Sequence, residues 1–79
     1  MSRARAVVEA VARGLADKPD AVHVTEREAR GQQLVELTMA PGDMGRVIGR
    51  QGRTAQAVRV LATLAAEMDG TKVSVDFRD

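Results

Sequence analysis

The chain has no cysteine, no tryptophan, no tyrosine and a single phenylalanine, and each scarcity closes off a class of function. Without cysteine, neither a disulfide framework nor a thiolate metal site can form, a composition that suits a reducing cytoplasm. With Phe77 as the one aromatic side chain, recognition of nucleic acid by rows of stacking aromatics is ruled out as the main device. Long apolar runs are also missing. No segment approaches the roughly 20 apolar residues of a membrane span, and the start, Met1-Ser2-Arg3-Ala4-Arg5, lacks the apolar stretch of a signal peptide. The expectation is a cytoplasmic protein with no membrane partner. His23 is the one histidine and has no companion for a metal site or a catalytic dyad, so it reads as a surface strand residue. Glu26, Glu28 and Glu36 lack the glycine-punctuated spacing of a calcium loop and read as solubilising charge.

What is present fits one folded unit. At 79 residues there is room for a single domain, residues 1–79, with one core. A hydrophobic fraction of 44% and a charged fraction of 29% exclude disorder. Net charge is only +1, so its distribution carries the information. Residues 41–66 hold Arg46, Arg50, Arg53 and Arg59 against Asp43 alone, a local +3, whereas residues 67–79 are locally −2.

The periodicity then orders the elements. Val7, Val8, Val11, Ala12 and Leu15 recur at three- and four-residue steps from Arg3 to Ala16, which predicts an amphipathic helix ended by Asp17-Lys18-Pro19-Asp20. Val22 and Val24 alternate with His23 and Thr25 as a strand running toward Glu28, and the polar stretch Arg27–Gln33 is expected to connect it to a second strand. There Val35, Leu37 and Met39 face one way, Glu36 and Thr38 the other. Asp43 is expected to cap a short helix from Met44 to Gly49 through its carboxylate. A longer helix from Arg53 or Thr54 to Met68 is expected to bury Ala55, Val58, Leu61, Ala62, Ala65 and Met68, and Gly70 stops it. Met39, Met44 and Met68 fall on apolar faces and are assigned to packing. Val73, Val75 and Phe77 alternate with polar residues as a last strand, Phe77 pointing to the core. The order αββααβ is that of an α+β domain with a three-stranded sheet and three helices packed on one face.

The chemistry concentrates between the two later helices, in Gly49-Arg50-Gln51-Gly52. Glycines at both ends permit a tight bend and let a phosphate approach the backbone. Gly52 leads into the start of the long helix, where free N–H groups and the helix dipole favour an anion. Arg50 and Arg53 add mobile positive charge there, so the loop is built to grip a phosphate backbone and not bases. Two other motifs fail. Gly45 and Gly49 have the spacing of a membrane helix-packing pair without the apolar segment it needs. Gly52-Arg53-Thr54 lacks the Lys of an NTPase phosphate loop, and Val47 stands where its first Gly belongs. No motif indicates an enzyme, a cofactor or a metal.

The residues Val47-Ile48-Gly49-Arg50-Gln51-Gly52-Arg53-Thr54-Ala55 resemble the Val-Ile-Gly-x-x-Gly-x-x-Ile signature of KH domains, and the whole element order resembles the type II, bacterial-style KH arrangement. More narrowly, the chain is similar to the KhpA family, small bacterial proteins of one KH domain. The resemblance implies a non-catalytic protein that clamps single-stranded RNA, an RNA chaperone or post-transcriptional regulator acting with a partner. It assigns RNA contact to Arg46, Val47, Ile48, Gly49, Arg50, Gln51, Gly52, Arg53 and Thr54. It places the walls of an apolar groove for about four nucleotides at Leu37, Met39, Ala55 and Val58 beside Val47 and Ile48, and a variable loop bearing Arg27 and Arg30 on the groove's far side. It further implies a homodimer, a heteromer with a KhpB-like KH and R3H protein, or both. Ala55 stands where the signature has a bulkier aliphatic residue, and Gln51 leaves Arg50 as the only charge in the loop. The alternative for Arg27 and Arg30 is that they are solvated loop charges offset by Glu26 and Glu28. The rival reading of the whole chain is a protein-interaction or dimerisation adaptor with incidental RNA contact.

Overall fold

A computed structural model describes residues 2–78. Six regular elements follow in order: α1 (Arg3–Leu15), β1 (His23–Ala29), β2 (Gln32–Thr38), α2 (Met44–Ile48), α3 (Arg53–Met68) and β3 (Lys72–Arg78). Short 3-10 turns at Pro19–Ala21 and Arg50–Gly52 join α1 to β1 and α2 to α3. Pro19 opens the first of these turns, where its fixed φ and missing N–H cost nothing.

The sheet has the order β1-β2-β3. β1 pairs antiparallel with β2, matching His23 to Thr38 and Ala29 to Gln32. β2 pairs parallel with β3, matching Gln32 to Lys72 and Thr38 to Arg78. The central strand supplies the middle of the core: Val35 and Leu37 are fully buried, flanked by Val24 and Val75. Against this face lie Val8 of α1, Val47 of α2 and Val58 of α3. Phe77 is half-buried and packs on the same cluster. The alternation read from the sequence therefore gives the correct inward face for all three strands.

α1 begins at Ser2, whose hydroxyl oxygen accepts the Arg5 backbone N–H at 3.1 Å and satisfies one of the unpaired donors of the first turn. Its buried residues are Ala4, Val8 and Ala12. α3 answers with Ala62 and Ala66, both essentially without exposure. Methyl groups on both sides let the two helices approach closely, and no space remains for leucine. That explains the main departure from expectation. Leu61 and Met68 are not buried; they are 48% and 71% exposed, on the outer side of α3 with Val60 and Leu64. The inward stripe is Ala55, Val58, Ala62, Ala65 and Ala66.

Two connections also differ from expectation. The segment Arg27–Gln33 is not a loop: β1 runs through Ala29 and β2 starts at Gln32. The turn is Arg30-Gly31 alone, both with positive φ (55° and 75°), the two-residue hairpin connection whose twist matches the strands. Asp43 precedes α2 but its carboxylate makes no capping bond. Instead it is 5% exposed and Oδ2 accepts the backbone N–H of Lys18 at 3.0 Å, tying the β2–α2 link to the segment after α1.

Candidate functional site

α2 is five residues long, too short to hold itself in a helix, so tertiary contacts set its position. Met44 and Val47 face the core, at 7% and 1% exposure, which leaves Ile48 half out at the mouth of the following bend. Gly49 closes α2, donating its N–H to Gly45 O at 2.8 Å. Its backbone, φ 74° and ψ 176°, lies in a region that is essentially glycine-only. Gly52 takes the left-handed conformation, φ 71° and ψ 14°, as the residue before α3, and its N–H reaches Gly49 O at 3.2 Å. Between them Gln51 is also left-handed, φ 57° and ψ 24°, an uncommon state for a residue with a Cβ. Three of the four loop residues thus have positive φ, and the chain reverses within one 3-10 turn.

The polar equipment sits on the outside of this bend. Arg50 and Gln51 are exposed. The guanidinium of Arg53 donates to Gln51 Oε1 at 3.1 Å and is held over the loop. Neither Arg50 nor Arg53 has a carboxylate partner among the described residues. No side chain caps the first turn of α3, and that turn carries no acidic residue. The positive end of a 16-residue helix without a side-chain cap and two guanidinium groups without carboxylate partners converge on one exposed corner, an arrangement suited to an anion. Thr54 packs against Gly49: a Cβ built on that glycine would stand 2.8 Å from the Thr54 Cβ.

Other expected site residues are placed differently. Arg46 is on α2 but engages Asp17 through two parallel bonds, Nη1 to Oδ1 at 2.9 Å and Nη2 to Oδ2 at 2.8 Å. Leu37, Met39, Val47, Ala55 and Val58 are all buried, and Met39 also lines a depression of about 300 Å³ with Ala40, Pro41 and Gly42. Of the apolar set, Ile48 alone is substantially open. Arg27 belongs to β1, where it meets Glu36 at 3.5 Å. Arg30 forms the hairpin tip, which adjoins Lys72 through Gln32 and so lies by the end of α3. The loop is at the start of that helix, about 24 Å away along its axis. Arg27 and Arg30 therefore lie toward the opposite end of α3 from the bend.

One accessible surface was not legible in the sequence. A depression of about 300 Å³ on the outer side of α3 is lined by Gln56, Arg59, Val60, Thr63 and Leu64. Arg59 lies over the Phe77 ring, 4.8 Å from its centre, and donates to Val75 O at 3.5 Å on the open edge of β3. The pattern of Gln56, Val60, Thr63 and Leu64 at helical spacing was present in the sequence, but α3 is apolar nearly all round, and periodicity alone does not say which side faces out. Among the described residues no helix is long and apolar enough to cross a membrane, and no group of acidic or histidine side chains has the makings of a metal site.

The αββααβ order, the mixed sheet and the glycine-bounded bend between α2 and α3 define an α+β domain of the KH type. A crystal structure of Era from Aquifex aeolicus shares this fold, with a TM-score of 0.64 and 17% identity over 94% of this chain and 29% of that one. The family profile for the KhpA/KhpB KH domain matches residues 5–77. Proteins called RNA-binding protein KhpA are similar throughout: that of Caldanaerobacter subterraneus subsp. tengcongensis is 46% identical over 90% of this chain and 95% of its own. The Chlamydia trachomatis protein is 39% identical over 87% and 88%. The chain belongs to the KhpA/KhpB KH-domain family.

Proposed function

We propose that this chain is a non-catalytic, cytoplasmic RNA-binding domain that holds single-stranded RNA by its sugar-phosphate backbone at Gly49-Arg50-Gln51-Gly52. The observation that carries the reading is the joint exposure, at one corner, of that bend, the uncapped start of α3 and the carboxylate-free Arg50 and Arg53. The names of the relatives, RNA-binding protein KhpA, support the same ligand. Val47 and Thr54 shape the bend from beneath, and Ile48 offers an apolar surface to an adjoining base. With so few groups facing outward, sequence preference is limited, and the activity is that of an RNA chaperone or post-transcriptional regulator working with a partner.

The exposed row Val60, Leu61, Leu64 and Met68 favours a second, compatible property, association through α3. Scattered apolar residues need no explanation, but a row on one helix does. The start of α3 is basic at Arg53 and Arg59 and its end acidic at Glu67 and Asp69, so two copies packed antiparallel about a two-fold axis set opposite charges against each other. The same face suits a KhpB-like partner bearing its own KH domain. Weak single sites gain avidity when joined in this way.

A salt titration of binding to a fluorescently labelled single-stranded RNA separates this reading from that of an adaptor with incidental RNA contact. Contact with Z phosphates weakens the affinity with a log–log slope of about −0.7Z, and two phosphates held by Arg50 and Arg53 set a slope near −1.4. A flat response would overturn the phosphate grip.

A further inference from the structure

We infer that Asp17 and Arg46 act as a positioning clamp that sets the angle of α2, and with it the glycine-bounded bend, against the rest of the domain. The inference rests on the proposed RNA site and names residues that control it without touching RNA. α2 is held by two contacts from the segment after α1. The Lys18 backbone N–H donates to the buried carboxylate of Asp43 immediately before the helix. One turn later Asp17 takes the Arg46 guanidinium in a two-pronged pair at 2.9 and 2.8 Å. Consecutive residues, 17 and 18, thus grip both ends of the first turn of α2. A helix of five residues has no stability of its own to resist rotation, and its last residue leads straight into Gly49. Fork-to-fork geometry fixes orientation in a way that a single contact does not.

The clamp makes a prediction opposite in sign to simple electrostatics. Asp17 is a negative charge on the α2 side of the molecule, and removing it would on charge grounds strengthen binding to a polyanion. The clamp requires that Asp17→Asn weaken binding, since the bend loses its fixed placement. Arg46→Gln would do the same, but for lack of the clamp and not of a phosphate contact.

The experiment measures RNA affinity by fluorescence anisotropy with a labelled single-stranded 12-nucleotide RNA. The variants are Asp17→Asn, Arg46→Gln, the two combined, and the exchange Asp17→Arg with Arg46→Asp. Circular dichroism confirms folding of each. Each single change should lower the affinity by about two- to fivefold, a range set by the worth of a well-oriented exposed pair. The combined variant should be no worse than either single one, and the exchange should recover most of the loss. The salt slope of Arg46→Gln should equal that of the parent. Backbone amides from Arg46 to Gly49 should exchange hydrogen faster in Asp17→Asn. Tighter binding by Asp17→Asn, additive losses, or a slope shallower by about 0.7 for Arg46→Gln would overturn the clamp and make Arg46 a phosphate ligand. A parent protein without RNA affinity would instead refute the proposed site itself.

Discussion

Thr54 stands directly over Gly49, so close that a Cβ on the glycine would come within 2.8 Å of the threonine Cβ. The two glycines of the bend are therefore unequal. Gly49 is constrained twice, by this contact and by a backbone conformation closed to side chains. Gly52 is left-handed with open space around it, and asparagine visits that region. Gly49→Ala should destabilise the fold by about 2–3 kcal/mol. Gly52→Asn should cost less than about 1 kcal/mol. Urea denaturation of both variants checks the asymmetry, and equal losses would contradict it.

Arg3 holds the far end of α3. Its backbone N–H donates to Asp69 Oδ2 at 3.0 Å and its guanidinium to Oδ1 at 2.7 Å. That backbone hydrogen bond first, with the guanidinium adding to it, holds the Asp69 carboxyl below the usual carboxylate range. A group whose pKa is lowered on folding binds fewer protons in the native state, so its contribution is present above the unfolded value of about 4 and is lost as pH falls through the lower folded value. Asp69→Asn should lower the melting temperature at pH 7, and by less at an acid pH below the unfolded value. An equal drop at both pH values would show that the carboxylate charge is not what matters.

The outer row of α3 gives a prediction about assembly. Leu61→Lys and Leu64→Glu replace exposed side chains, and such changes alter stability by only about 0.5 kcal/mol. If two copies join through this row, either substitution should shift sedimentation from a dimer to a monomer while the circular dichroism stays the same. Dimers that persist in both variants would place the interface elsewhere.

Most of the fold was legible in the sequence because strands and helices carried clean periods. Val35, Leu37 and Met39 alternate without interruption, as do Val73, Val75 and Phe77, and the buried faces follow. α3 was harder. Ala62 and Leu61 are neighbours, and the hydrophobicity pattern places both in the interior. The structure buries the alanine, because the α1–α3 contact is set by methyl groups at Ala4, Ala12, Ala62 and Ala66. Backbone geometry was similarly hidden: Arg30 with positive φ makes a two-residue hairpin out of a polar run that reads as a loop.

The candidate site divides in the same way. The bend was visible from Gly49 and Gly52, since only their lack of a Cβ permits it. The lack of a carboxylate partner at Arg50 and Arg53, and the captured state of Arg46, were not. A sequence lists charges without their partners, and Asp17 and Arg46 are 29 positions apart. Arg59 was counted among the basic residues, yet its place over Phe77 depends on how β3 returns alongside β2.

The most direct test of the phosphate grip replaces Arg50 and Gln51 with Asp and leaves both glycines in place. Both side chains are exposed, and aspartate tolerates the left-handed backbone at position 51, so the variant should fold as the parent does. Two carboxylates would then face the RNA backbone. Binding of single-stranded RNA in an anisotropy titration should fall by at least about tenfold, the equivalent of about 1.4 kcal/mol; unchanged affinity in the folded variant would contradict the account.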